Sequence, residues 1–227
     1  MSSMNKVVFD IETLAFPLED FDEKQQEYLL KFAKTDEERT EALMRMNLTP
    51  LTAQVLAVAM LNPDSRQGKV FYQGPGQARG MTEDGLVELV PGNERELLEG
   101  FWKTITHYGQ FITFNGRSFD CPFLMLRSAL LGIKPSRNLM GYRYSANEHC
   151  DLLEQLSFYG AFRKFNLDFY CKSFGIKSPK GEVSGVDMGP LFHAGKYREI
   201  AEYCLGDVHA TAELYQRWQS HLAFEKT

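Results

Sequence analysis

The chain has 227 residues, of which 44% are hydrophobic and 13% aromatic, so it holds enough apolar side chain for a real core and is not disordered as a whole. Its formal net charge is −5, which excludes nucleic-acid binding by blanket positive charge. If nucleic acid is a partner, acidic residues must have a task that outweighs their electrostatic cost, and holding metal ions is one such task. Cys121, Cys150, Cys171 and Cys204 form no CxxC pair and no zinc spacing, so they read as reduced thiols of a cytoplasmic protein. The first residues lack the hydrophobic region of a signal peptide, and no apolar run reaches the ~18 residues of a membrane span.

The first element is a strand over KVVFDI, Lys6 to Ile11, with a carboxylate near its end. From Glu19 to Met46 the composition turns charged, Gly-free and rich in helix formers. Two helices are expected there, broken near Thr35–Asp36, with Thr35 and Glu38 forming a capping box. Tyr28, Leu29, Phe32, Leu43 and Met46 would make their apolar face. Gln54–Leu61 and Lys69–Tyr72 read as strands, and Gly74–Gly85 as a loop or hairpin end. Asn93 should cap a helix from Glu94 to about His107, with Leu97, Leu98, Phe101, Trp102 and Ile105 inward. Phe111–Phe114 is a fourth strand, and a helix from about Pro122 to Leu131 stops at Gly132. Two short helices follow over Asp151–Phe158 and Leu167–Phe174, then a polar loop over Ser178–Pro190. A last helix or helix pair spans Lys196 to about Leu222. Strands interleaved with helices predict an α/β fold, a mixed sheet flanked by helices in one domain over 1–227.

Three carboxylate-bearing stretches stand out. Asp10 and Glu12 lie two apart on a strand, so their side chains share a face. Two carboxylates on a core strand are costly unless a cation neutralises them. Asn115–Asp120, NGRSFD, links the fourth strand to a helix, where Asp120 sits at the favourable end of the macrodipole. Tyr203 and Asp207 are four apart on the last helix and share its face. The set offers hard oxygen ligands without histidine, which selects Mg²⁺ or Mn²⁺ over zinc.

FDIET, NGRSFD and YCLGD in this order resemble the three motifs of DEDD-superfamily 3′–5′ exonucleases, in the tyrosine-bearing branch. The resemblance is nearest to the proofreading exonuclease domain of family-B DNA polymerases, and it runs from Lys6 to about Arg217. The sister branch carries a histidine five residues before the last aspartate, where this chain has Glu202. The resemblance implies a ribonuclease-H-like fold with a five-stranded mixed sheet. Its fifth strand would lie near Tyr142–Tyr144 or His149–Cys150. The helical segment at about 19–47 would be an insertion where the family has a short hairpin.

The resemblance also implies roles. Asp10 would bridge two divalent ions, Glu12 and Asp207 would complete one ion site, and Asp120 would serve the other, partly through water. Tyr203 would hydrogen-bond the attacking water. Thr13 and Leu14 would meet the terminal nucleotide at the 3′ end of a single-stranded nucleic acid, Leu14 being equally readable as a core residue. Asn115 and Phe119 would line the same cleft. Lys164 belongs to a basic stretch with Arg163, Lys172, Lys177 and Lys180 that either tracks phosphates or is a solvated surface. Asp151 reads as a helix cap, and His149 as a neighbour of the site in sequence only. The implied activity is removal of nucleotides from a 3′ end, on DNA rather than RNA. An exoribonuclease is one alternative. A non-catalytic nucleic-acid-binding module is the other, and the complete set of carboxylates and tyrosine argues against it.

Overall fold

The computed structural model describes residues 5–177 and 188–223. Its strands are β1 (Lys6–Ala15), β2 (Ala53–Leu61), β3 (Gly68–Gln73), β4 (Gly80–Met81), β5 (Val87–Gly92), β6 (Gln110–Thr113) and β7 (His149–Asp151). They form one mixed sheet in the order β4-β5-β3-β2-β1-β6-β7. The helices are α1 (Glu23–Leu30), α2 (Asp36–Met46), α3 (Glu94–Ile105), α4 (Asp120–Leu130), α5 (Leu152–Leu156), α6 (Leu167–Ser173), α7 (Met188–His193) and α8 (Tyr197–His221).

The sheet separates two apolar layers. On one side Val7, Phe9 and Ile11 of β1 pack with Leu98, Phe101 and Trp102 of α3 and Phe123 and Leu124 of α4. On the other, Val8 packs with Ile200, Cys204, Leu205 and Val208 of α8. Strand alternation therefore turns Asp10 and Glu12 toward α8. Their partners across the β1–β2 ladder are Ala59 and Ala57, small residues that leave the carboxylates room. The register shifts between Glu12 and Thr13, so that β2 carries one extra residue, Leu56, opposite this step. Leu56 and Ala57 consequently both join the α8 layer.

The sheet has seven strands rather than the expected five. The two additions, β4 and β5, extend the outer edge of β3. Val87 and Leu89 of β5 point into the core, and Pro91 is tolerated because β4 pairs only with Leu89 and Glu88. β7 lies at His149–Asp151, one of the two expected positions, and Tyr142–Tyr144 is not a strand. Of the polar loop expected over Ser178–Pro190, residues 178–187 lie outside the described ones, and the remainder opens α7. The C-terminal segment is a single helix.

The capping boxes of α2 and α3 form as their sequences require, Thr35 with Glu38 and Asn93 with Glu96. The α1–α2 arm departs from its expected packing. Tyr28 and Phe32 are 77% and 81% exposed, and of the five expected apolar positions only Met46 is buried. Helical periodicity gave these residues a common face, but no layer of the sheet lies opposite it. The arm is instead fastened at its end. The Asn47 Oδ1 accepts the Ala15 N–H at 2.7 Å, and the Thr13 hydroxyl donates to the Asn47 carbonyl at 2.8 Å. Asn47→Ala should therefore cost about 1 kcal/mol, the usual worth of such a bond. The change should appear as a lower urea midpoint at constant m-value. A midpoint equal to the parent's would show that this bond does not fasten the arm.

Candidate active site

β1 runs beside β6 only as far as Val8, opposite Ile112. Beyond that point the two strands diverge, and the freed Ile11 N–H donates to the Asp120 Oδ1 at 3.1 Å. Asp120 is the first residue of α4, two positions earlier than the sequence pattern placed the helix start. The carboxylate thus sits at the helix N-terminus and against β1 at once. From the other direction α8 brings Tyr203 and Asp207. Cys204 between them lies against Asp10, its Sγ 3.4 Å from the Asp10 carbonyl oxygen and 4.0 Å from Oδ2.

These carboxyl groups are withdrawn from water. Glu12 is 8% and Asp120 2% exposed. Burial is the main cause that raises the Asp10 and Glu12 carboxyls far above the ordinary range, and the neighbouring charges of Asp120 and Asp207 raise them further. Asp120 is raised to about 7, again mainly by burial, although the backbone bonds it accepts partly offset the rise. Among the described residues, no lysine or arginine pairs with Asp10, Glu12 or Asp120. A buried anionic cluster without a basic side chain fits a bound cation. The tightest group offers one ligand atom each from Asp10, Glu12 and Cys204, all within 4.8 Å of one another. Burial pushes the Cys204 thiol up as it does the carboxyls, and a hard ion would favour the oxygens over the sulfur. Oxygen ligands of this kind suit a hard divalent ion.

Tyr203 is half-buried. Burial, then the charges of Asp207, Glu12 and Asp10, hold its phenol well above its ordinary value. At neutral pH it is a hydrogen-bond donor and not a base.

The loop that delivers Asp120 is held by a residue that sequence reasoning treated only as a cap. Asp151 does cap α5, accepting from the Leu153 and Glu154 N–H groups. It also accepts the Asn115 N–H at 3.0 Å and the Arg117 N–H at 2.9 Å. Asn115 adopts a left-handed backbone (φ 64°), which asparagine tolerates better than most residues. Gly116 has no alternative, because a Cβ there would lie 2.4 Å from the Thr113 hydroxyl oxygen. His149 is a buried partner of Thr113, its Nε2 2.8 Å from the same hydroxyl. Nothing but the HCD triplet marked β7 in the sequence, and three residues are too few for a periodic signal.

The remaining candidates are not all at the cluster. The Thr13 hydroxyl is committed to Asn47. Leu14 is partly buried against the α8 layer and within reach of Gly189 of α7. Phe119 packs on the α3–α4 layer and meets Phe123, with ring centroids 5.6 Å apart. Asn115 is adjacent through its backbone. Lys164 is exposed on the α5–α6 connection, with no described contact.

A family model described as "Predicted 3'-5' exonuclease related to the exonuclease domain of PolB" matches residues 81–224. DNA polymerase 1 of Sulfurisphaera ohwakuensis is 32% identical over 145 residues, 58% of this chain and 16% of that protein. A DNA polymerase of Pyrococcus glycovorans is 30% identical over 148 residues, 56% of this chain and 18% of that protein. The chain therefore spans less than a fifth of the length of these curated relatives. The solved structure of the family B DNA polymerase from Pyrobaculum calidifontis superposes with a TM-score of 0.61. It covers 95% of this chain and 24% of that one at 18% identity, a likeness of fold. No described helix is long and apolar enough to cross a membrane.

The raised carboxyls fix a pH dependence. As pH rises past the ordinary values of 3.8 and 4.5, the unfolded chain releases these protons while the folded protein keeps them. Stability of the metal-free protein should then fall with pH, for Asp120 between about 4 and about 7. Mn²⁺ should raise Tm more at pH 8 than at pH 6. Asp10→Asn should raise Tm in EDTA and abolish most of the Mn²⁺ response. Equal Mn²⁺ shifts in parent and variant would remove Asp10 from the ion site.

Proposed function

The chain belongs to the family of predicted 3′–5′ exonucleases related to the exonuclease domain of PolB, and on that footing we propose that it removes nucleotides one at a time from the 3′ end of single-stranded DNA, releasing 5′-monophosphates. The observation that carries the reading is the convergence of Asp10, Glu12, Asp120 and Asp207 from β1, α4 and α8, with no lysine or arginine among the described residues paired to the first three. That its curated relatives are DNA polymerases supports DNA over RNA. Tyr203, on the turn of α8 before Asp207, supports the tyrosine-bearing branch.

In this reading the carboxylates would hold two divalent ions, Mg²⁺ or Mn²⁺, with Glu12 and Asp207 serving one, Asp120 the other and Asp10 both. When bound, such ions lower the pKa of water and offset charge developing on the phosphate and the leaving oxygen. The protein's part is placement. The Ile11 N–H fixes one Asp120 oxygen. Asp151 holds the loop before α4, and so fixes where Asp120 stands relative to β1. The Tyr203 phenol stays protonated and aims one lone pair of the attacking water by donating its hydrogen. Because α8 carries both Tyr203 and Asp207, the donor keeps a fixed spacing from that carboxylate.

A 5′-labelled single strand incubated with Mg²⁺ should shorten in one-nucleotide steps, and a circular single strand should resist. Rapid cutting of the circle would make the protein an endonuclease. Asp207→Ala should abolish turnover with the fold intact. Tyr203→Phe should slow single turnover by about 10- to 1,000-fold, the range of a lost positioning hydrogen bond. Its pH–rate profile should keep the parent shape. A Phe variant at parental rate would leave Tyr203 as packing only.

A further inference from the structure

The connection from α5 to α6 is built against local preference. Phe158 and Tyr159 both take left-handed backbone angles, φ 49° and 56°, which bulky residues avoid. The strain is held by the Tyr159 N–H on the Glu154 carbonyl at 2.7 Å and by the Gln155 side chain on the Tyr159 hydroxyl at 2.8 Å. Its result is to turn apolar rings outward. Phe158, Phe162 and Phe169 are 55%, 67% and 53% exposed.

These rings are ordered. Phe158 meets Phe162 at 5.9 Å edge to face. Phe165 stacks on Phe169 at 4.3 Å and 14°, and touches Tyr170 at 6.3 Å. Tyr170 in turn meets Phe114 at 5.8 Å, and Phe114 directly precedes the Asn115–Asp120 loop. On the other flank α6 packs against α8, the helix of Tyr203 and Asp207. The ring contacts from Phe169 through Phe165 and Tyr170 therefore end at Phe114, beside the loop that delivers Asp120, and Phe158 with Phe162 forms a second pair on the same connection.

Its charge differs from that of the rest of the chain. Between Ser157 and Lys177 there are four cations, Arg163, Lys164, Lys172 and Lys177, against the single anion Asp168. Asp168 is itself paired with Lys172 at 2.9 Å. The Arg163 guanidinium lies over the Phe165 ring at 5.1 Å, so cation and aromatic face are presented together. The exposed rings of the α1–α2 arm stand in the opposite field, with nine carboxylates against five cations from Glu19 to Asn47. Exposed rings interleaved with cations meet the two needs of a single strand, faces for its bases and charge for its phosphates.

We infer that the α5–α6 connection is a stacking ledge for single-stranded nucleic acid, holding the bases upstream of the 3′ end while the terminal nucleotide occupies the carboxylate cluster. The inference rests on the nuclease reading for the direction of the strand. The ledge supplies affinity without sequence preference, because every base has a π-face.

The test uses fluorescein-labelled dT20 and the p-nitrophenyl ester of thymidine 5′-monophosphate, which is too short to reach the ledge. Phe162→Ala with Phe169→Ala should raise the KM for dT20 at least tenfold, the order expected for lost base–aromatic stacks. The kcat on dT20 should change less than twofold, and anisotropy in Ca²⁺ should show the same loss of affinity. Tyr28→Ala with Phe32→Ala on the arm should leave the KM unchanged. Circular dichroism checks that both variants fold. Parental KM and affinity in the Phe162/Phe169 variant would overturn the ledge. So would a parent dimer that this variant dissociates without loss of dT20 affinity, since a second copy would then cover the rings. A parent that hydrolyses neither dT20 nor the ester would overturn the nuclease reading. The ledge would still be judged by anisotropy, where a variant that binds less tightly supports it and one that binds equally refutes it.

Discussion

Like charges crowded out of water are the constraint around which this protein is arranged. Asp10, Glu12 and Asp120 are raised chiefly by burial, and nearby carboxylates, Asp207 among them for all three, raise them further. A core would ordinarily exclude such a group, because an unpaired buried charge costs several kcal/mol. The fold instead gathers the carboxylates from three separate elements. Among the described residues no lysine or arginine pairs with Asp10, Glu12 or Asp120, and a cation would supply the missing charge.

The architecture follows from that demand. β1 must continue past the end of its parallel neighbour, so that an unpaired N–H and an open flank remain for Asp120. Ala57 and Ala59 must stand opposite Glu12 and Asp10, because larger residues would fill the space under α8. The extra residue Leu56 restores the apolar α8 layer just where the ladder slips. The opposite layer is conventional by comparison. There Glu94 ties the Val55 N–H to Arg127, and Trp102 donates to Ser128, so α3 and α4 are braced against a sheet whose other face carries the chemistry.

The parts of the molecule that were legible in the sequence are those with a local cause. Thr35, Glu38, Asn93 and Glu96 announce helix starts because a cap needs only four residues. The pair Asp10–Glu12 and the pair Tyr203–Asp207 are legible because strand and helix periods put each pair on one face. What was not legible depends on contacts between distant segments. β5 is specified by Val87 and Leu89 meeting the core edge of β3, and β4 is only two residues long. Asp151 has the sequence signature of a cap, and its second task exists only because β7 lies beside β6. The apolar face of the arm was legible as a pattern, yet the pattern does not say whether anything stands opposite it.

That arm has a dynamic consequence. Apart from Met46 its two helices bury no side chain fully, so little apolar area resists their opening. Amides of α1 and α2 belong at the low-protection end of a hydrogen-exchange profile, while those of β1 and β2 exchange only with global unfolding. The boundary between these regimes falls at Asn47, whose side chain and carbonyl hold Ala15 and Thr13. Fraying of a peripheral helix pair is thereby transmitted to the residue immediately after Glu12, making the arm a separate cooperative unit whose closed state stiffens the strand that carries the first two carboxylates.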